Sequence, residues 1–97
     1  MARDVGAAKA ILHQLVGFDT TSSKTNLPLI AYVRDYLSDH GINVTLIHDE
    51  SGEKASLYAT IGPDDTPGIG LSGHTDVVPV AGQIWASDPF NLTERDD

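Results

Sequence analysis

The spacing of apolar residues changes at Gly41, and that change limits the folds open to this chain. Before it, Ala8, Ile11, Leu12, Leu15 and Val16 recur on one face of one segment, and Leu29, Ile30, Val33 and Leu37 recur in a second. A period of about 3.6 residues builds an amphipathic helix. After Gly41 the period drops to two. Val44 and Leu46 share a face in "INVTLIH", and Leu57, Ala59 and Ile61 alternate with Tyr58 and Thr60 in "ASLYATIG". Such alternation marks half-buried strands.

The first pattern predicts a helix from Asp4 to Val16, closed by Gly17. The second predicts a helix from Leu27 to His40, with Asn26 as its N-cap and Pro28 inside its first turn. His40 and Gly41 make a suitable ending, a cation-capable side chain followed by a residue that tolerates positive φ. The turn "ESGEK" joins the two strands as an antiparallel pair, and "PDDTPG" is a further turn. "IGLSG" then predicts a short buried third strand that ends at His74. The expected order is helix-helix-strand-strand-strand, an α/β arrangement. Three strands leave a sheet edge without a partner, and an open apolar edge is a liability. The chain is therefore expected to be the front part of a longer polypeptide, with residues 1–97 forming the N-terminal portion of one domain.

Composition narrows the function classes. A length of 97 residues fits one small domain at most. The net charge of −8 repels phosphate backbones and anionic lipid surfaces, so neither nucleic acid nor membrane is an expected partner. There is no cysteine, which excludes disulfides and thiolate metal sites. No stretch approaches the ~18 apolar residues of a membrane span. The N-terminus, with Arg3, Asp4 and Lys9 around a short apolar run, is a poor signal peptide. A soluble, cytoplasmic protein is expected.

Of the four histidines, three read as structural or solvent-facing. His13 lies off the apolar stripe of its helix, His40 ends a helix, and His48 lacks a carboxylate in a matching frame. "FDTTSSKTN" reads as a polar connector and helix cap, because no glycine-rich frame supports a phosphate cradle or a nucleophile.

His74 is different. In "GHTDVVP" it stands two residues before Asp76, and in an extended backbone the two side chains point the same way. Gly73 would permit a close approach of the backbone to another group. Ligands of open α/β sheets collect at the carboxyl ends of strands. A histidine there can bind a metal through one ring nitrogen if an acceptor fixes the other, and a nearby carboxylate is the usual acceptor. Val77, Val78 and Val80 would supply an apolar wall that keeps water out. The triplet alone also fits a strand-end histidine held by a local aspartate with no metal, and taken by itself it favours that account. A triad built on the adjacent Ser72 is disfavoured, since residues so close in sequence seldom meet the required geometry.

The wider string tips the balance. "LSGHTDVVPVAGQIWASDPFNLTERDD" closely resembles the metal-site segment of the M20 family of zinc-dependent amidohydrolases and peptidases. Gly73, His74, Thr75, Asp76, Val77, Val78 and Pro79 carry the resemblance, followed by Gly82, Gln83, Trp85, Asp88, Pro89 and Phe90. The resemblance implies a zinc-peptidase-like catalytic domain, with His74 as a ligand to one of two zinc ions. It implies that Asp76 is a catalytic residue that orients that histidine and supports the metal-water chemistry. Cobalt is the alternative metal, since histidine and carboxylate ligands suit both. Trp85, Pro89 and Phe90 read as packing residues beside the site.

The implied substrate is a small N-acyl amino acid. N-acetyl-ornithine, hydrolysed to ornithine and acetate in arginine biosynthesis, is the first expectation. Ala81 departs from the aspartate that the family's deacetylases often carry there, whereas Asp88 leans toward them and away from the succinyl-diaminopimelate desuccinylases. The family's bridging aspartate, its general-base glutamate and its later ligands lie downstream of this motif. Its dimerisation or lid domain, and with it the expected homodimer, also lies outside these 97 residues. The chain alone is accordingly expected to be inactive. A non-catalytic domain with a structural or partner-binding role is the competing class.

Overall fold

The computed structural model describes residues 5–96. Helix α1 covers Val5–Gly17 and helix α2 covers Leu27–Asp39. Strand β1 covers Val44–His48 and strand β2 covers Ala55–Ala59. The strands pair antiparallel, with Val44 opposite Ala59 and His48 opposite Ala55. The class is small α/β, two helices and one two-stranded sheet. The expected start of the first helix at Asp4 lies outside the described residues, as does Asp97.

Helix α2 is stopped as its sequence requires. Gly41 takes φ +74°, its N–H donates to the Ser38 carbonyl at 3.0 Å, and the Ile42 N–H donates back to Leu37 at 3.0 Å. These two bonds satisfy carbonyls that the last turn would otherwise leave open. His40 takes the helix-end role, its Nδ1 donating to the Tyr36 carbonyl at 2.8 Å. The start of α2 departs from expectation. Asn26 occupies the cap position but its side chain makes no cap bond. Its amide donates to the Ala55 carbonyl at 2.9 Å and accepts from the Ala55 N–H at 2.9 Å. The Thr25 hydroxyl instead accepts from the Leu27 N–H at 3.2 Å.

The hairpin turn is organised by Asp49. Its carboxylate accepts from the Ser51 hydroxyl at 2.8 Å and the Gly52 N–H at 3.0 Å, and Gly52 adopts φ +74°. The inner face of the hairpin (Leu46, Leu57) packs on α2 around buried Leu29, Ile30 and Ala55, with Leu15, Phe18, Leu27 and Val33 at the margin. Val33 and Leu37 are half-buried where the pattern predicted a buried face. Helix α1 contributes less than its stripe predicts. None of its residues is buried, and Leu12 is exposed. The molecule is flat, with extents of 48 × 43 × 22 Å.

The third strand does not form. Residues 69–73 run outside any regular element, and Ile69 and Leu71 are 93% and 97% exposed. An apolar run becomes a strand only against an edge that takes its backbone groups, and none of the described residues does so here. Ile61, expected on the inner face of the second strand, lies beyond β2 and is exposed. Among the described residues no helix is long and apolar enough to cross a membrane.

Candidate functional site

The site begins in the connector after α1. Asp19 folds this loop on itself, accepting from the Thr21 N–H at 3.1 Å, the Thr21 hydroxyl at 2.5 Å and the Lys24 ammonium at 2.5 Å. The Lys24 and Thr21 hydrogen bonds lower the Asp19 carboxyl to about 2. The loop then grips a segment 55 residues downstream. The Thr20 hydroxyl donates to the Thr75 carbonyl at 2.5 Å, the Val77 N–H to the Thr20 carbonyl at 3.1 Å, and the Ser22 N–H to the Val77 carbonyl at 3.0 Å. Thr21 and Val77 thereby form a parallel bridge. Thr20 and Thr21 are buried, and the bonds just given satisfy both hydroxyls.

This clamp brings the two predicted site residues together. His74 Nδ1 lies 2.9 Å from Asp76 Oδ1 and 3.1 Å from the Asp76 carbonyl. An ionised carboxylate only accepts, so Nδ1 carries the hydrogen and Nε2 keeps the lone pair. The other oxygen, Asp76 Oδ2, accepts from the Ser22 hydroxyl at 3.2 Å. The bond from His74, helped by that from Ser22, holds the Asp76 carboxyl below the usual carboxylate range. The arrangement can present one imidazole nitrogen, in a fixed tautomer, to an electrophile.

The setting departs from expectation. His74 does not end a buried strand, and its side chain is 84% exposed. A Cβ placed on Gly73 meets no atom of this chain within 4 Å. Val77, Val78 and Val80 do line an apolar cleft beside His74, but Val77 and Val78 are exposed and the pair stays open to solvent. The run before the pair is left uncovered, with Ile69 and Leu71 in solvent, and the loop from Thr20 to Ser22 holds residues 75–77 from one side only. The other histidines stay apart from the pair. His13 and His48 are exposed on α1 and β1, and His40 is engaged at the end of α2. Among the described residues no group of three or more histidine, aspartate or glutamate side chains is placed to hold a metal.

Two clefts flank His74. One, of about 390 Å³, is apolar and runs between the end of α1 and the later loop, with Leu15, Phe18, Val77, Val80, Trp85 and Phe90 on its walls. The other, of about 560 Å³, lies between α2, β2 and residues 73–76. Trp85, Pro89 and Phe90, read from sequence as packing residues, all line the first. The Trp85 indole donates to the Val80 carbonyl at 3.1 Å, and Asp88 caps the following turn by accepting from the Phe90 N–H at 2.9 Å.

Known proteins carry a similar sequence over most or all of this chain. An acetylornithine deacetylase of Myxococcus xanthus is 35% identical over 101 residues, covering 99% of this chain and 26% of the relative. That of Pasteurella multocida is 39% identical over 79 residues, or 80% of this chain and 20% of the relative. That of Buchnera aphidicola subsp. Schizaphis graminum is 30% identical over 103 residues, or 100% of this chain and 27% of the relative. This chain is similar to acetylornithine deacetylases over most or all of its length. It spans between a fifth and about a quarter of their length. No family model matches the chain, and no solved structure does.

The residues that sequence reasoning missed are Thr20, Thr21 and Ser22. Their composition marked a loop, and the run of hydroxyls was the available signal. Nothing local announced which distant carbonyls and carboxylate those groups would reach.

Proposed function

We propose that this chain is the N-terminal part of the catalytic domain of an M20-type metal-dependent amidohydrolase. In this reading His74 is a metal ligand through Nε2 and Asp76 orients it. The carrying observation is the 2.9 Å bond from His74 Nδ1 to Asp76, which leaves Nε2 available in a chain similar throughout to acetylornithine deacetylases. Ligand histidines ordinarily give their second ring nitrogen to such an acceptor, which fixes the tautomer and raises basicity. The donor set suits zinc, with cobalt as the alternative.

A bound metal of this kind supplies Lewis acidity at the amide carbonyl and an acidified water. The residues of this chain contribute one ligand nitrogen and the carboxylate that aligns it. A two-metal site needs a bridging carboxylate, a general base and further ligands, so the 97-residue chain by itself is inactive in this reading. The substrate class is a small N-acyl amino acid, with N-acetyl-ornithine first because each relative named above is an acetylornithine deacetylase. The whole protein is then a cytoplasmic homodimer whose dimerisation or lid domain lies outside these residues.

The test is metal binding. His74→Ala is expected to lower zinc affinity at least ~10-fold, the scale of losing a ligand or its orienting partner. Competition with a chromophoric chelator measures it. Unchanged affinity removes His74 from the ligand set.

A further inference from the structure

We infer that Ser22 is a positioning residue of this site: its hydroxyl holds the outer oxygen of Asp76 so that the inner oxygen faces His74 Nδ1. This rests on the reading of His74 as a metal ligand. An aspartate side chain turns about two torsions, and the second is broad. A hydrogen bond to one oxygen leaves the carboxylate free to swing, whereas a bond to each oxygen fixes its plane. Asp76 has both, from His74 Nδ1 at 2.9 Å and from Ser22 Oγ at 3.2 Å.

The donor is held as firmly as the acceptor. The Ser22 N–H donates to the Val77 carbonyl at 3.0 Å, beside the bridge between Thr21 and Val77. Ser22 and Asp76 therefore sit on two strands of backbone already locked together. Thr20 secures the residue between His74 and Asp76 through the Thr75 carbonyl, so the segment cannot rotate as a unit. Ser22 has one hydroxyl hydrogen and two acceptors in reach, Asp76 Oδ2 at 3.2 Å and the Val77 carbonyl at 3.1 Å. The Val77 carbonyl already receives the Ser22 N–H. A charged acceptor makes the stronger bond, so the hydrogen goes to the carboxylate.

The experiment compares Ser22→Ala, Ser22→Thr and His74→Ala in the isotopically labelled chain at a fixed pH of about 8, above the ordinary histidine range. Nitrogen shifts of the His74 ring report its tautomer, chelator competition reports zinc affinity, and the Thr21 and Val77 amides report the clamp. Ser22→Ala is expected to lower the Nδ1–H population about two- to threefold and zinc affinity roughly fivefold, below the range for a direct partner of the ligand. The two amides stay in place and Ser22→Thr restores both values. An unchanged His74 tautomer in Ser22→Ala overturns the inference. So does loss of the clamp amides without rescue by threonine, which makes Ser22 a purely structural residue. If His74→Ala leaves zinc affinity unchanged, the ligand reading fails, and the tautomer still decides the role of Ser22.

Discussion

Between residues 27 and 59, each regular element has a neighbour to pack against. Helix α2 covers the hairpin, the strands pair along five residues each, and the buried apolar side chains all lie within these elements. Between residues 60 and 96 the backbone crosses the surface with one bridge, at Val77, and leaves Ile69, Leu71, Val78 and Ile84 in solvent. Both regions are rich in apolar residues. What separates them is a supply of partners, since an apolar side chain stabilises only when something covers it. The candidate site lies in the poorer region and takes its order from the loop that clamps it.

The comparison can be broken by substitution. Leu29→Ala, in the paired region, is expected to cost about 2–5 kcal/mol, whereas Ile69→Ser in the other should stay within ~0.5 kcal/mol. Denaturant midpoints measure both, and equal losses would mean that residues 60–96 hold a core of their own. Asn26→Ala should cost about 1–3 kcal/mol, because two bonds to Ala55 vanish and leave its N–H and carbonyl unpaired. A loss under half of that would show water replacing the amide. The smallest effect concerns acid. The carboxyl of Asp19 is lowered to about 2 from its ordinary value of 3.8. Its contribution is complete above the ordinary value and fades as pH falls toward 2. Thermal melts followed by circular dichroism should therefore show Asp19→Asn less stable than wild type near pH 5, with the gap closing toward pH 2. A constant gap would deny Asp19 its ion pair with Lys24.

Much of the paired region was legible in the sequence because its signals are local. Gly41 ends α2 where the pattern places the end, and the period-two alternation gives β1 and β2 with Leu46 and Leu57 inside, although Ile61 falls beyond β2. The side-by-side placement of His74 and Asp76 was legible for the same reason, since spacing by two in extended backbone puts them together. "IGLSG" failed because its residue types state a preference for a strand and say nothing about a partner. Asn26 was read as a cap because capping and strand mimicry use the same amide atoms, and only the position of Ala55 decides between them. The grip of Thr20 and Ser22 on residues 75–77 joins positions 55 apart, a distance over which a single sequence carries no pattern.

The bond pair between Asn26 and Ala55 works like a base pair. One edge offers a donor and an acceptor, and the other offers their complement in reverse order. Such matching tolerates few spellings. Aspartate would set a second acceptor against the Ala55 carbonyl, and glutamine would carry the correct groups one methylene too far. Position 26 thus specifies the seam between helix and sheet by complementarity rather than by bulk. The seam could be rewritten without altering any apolar side chain in the core.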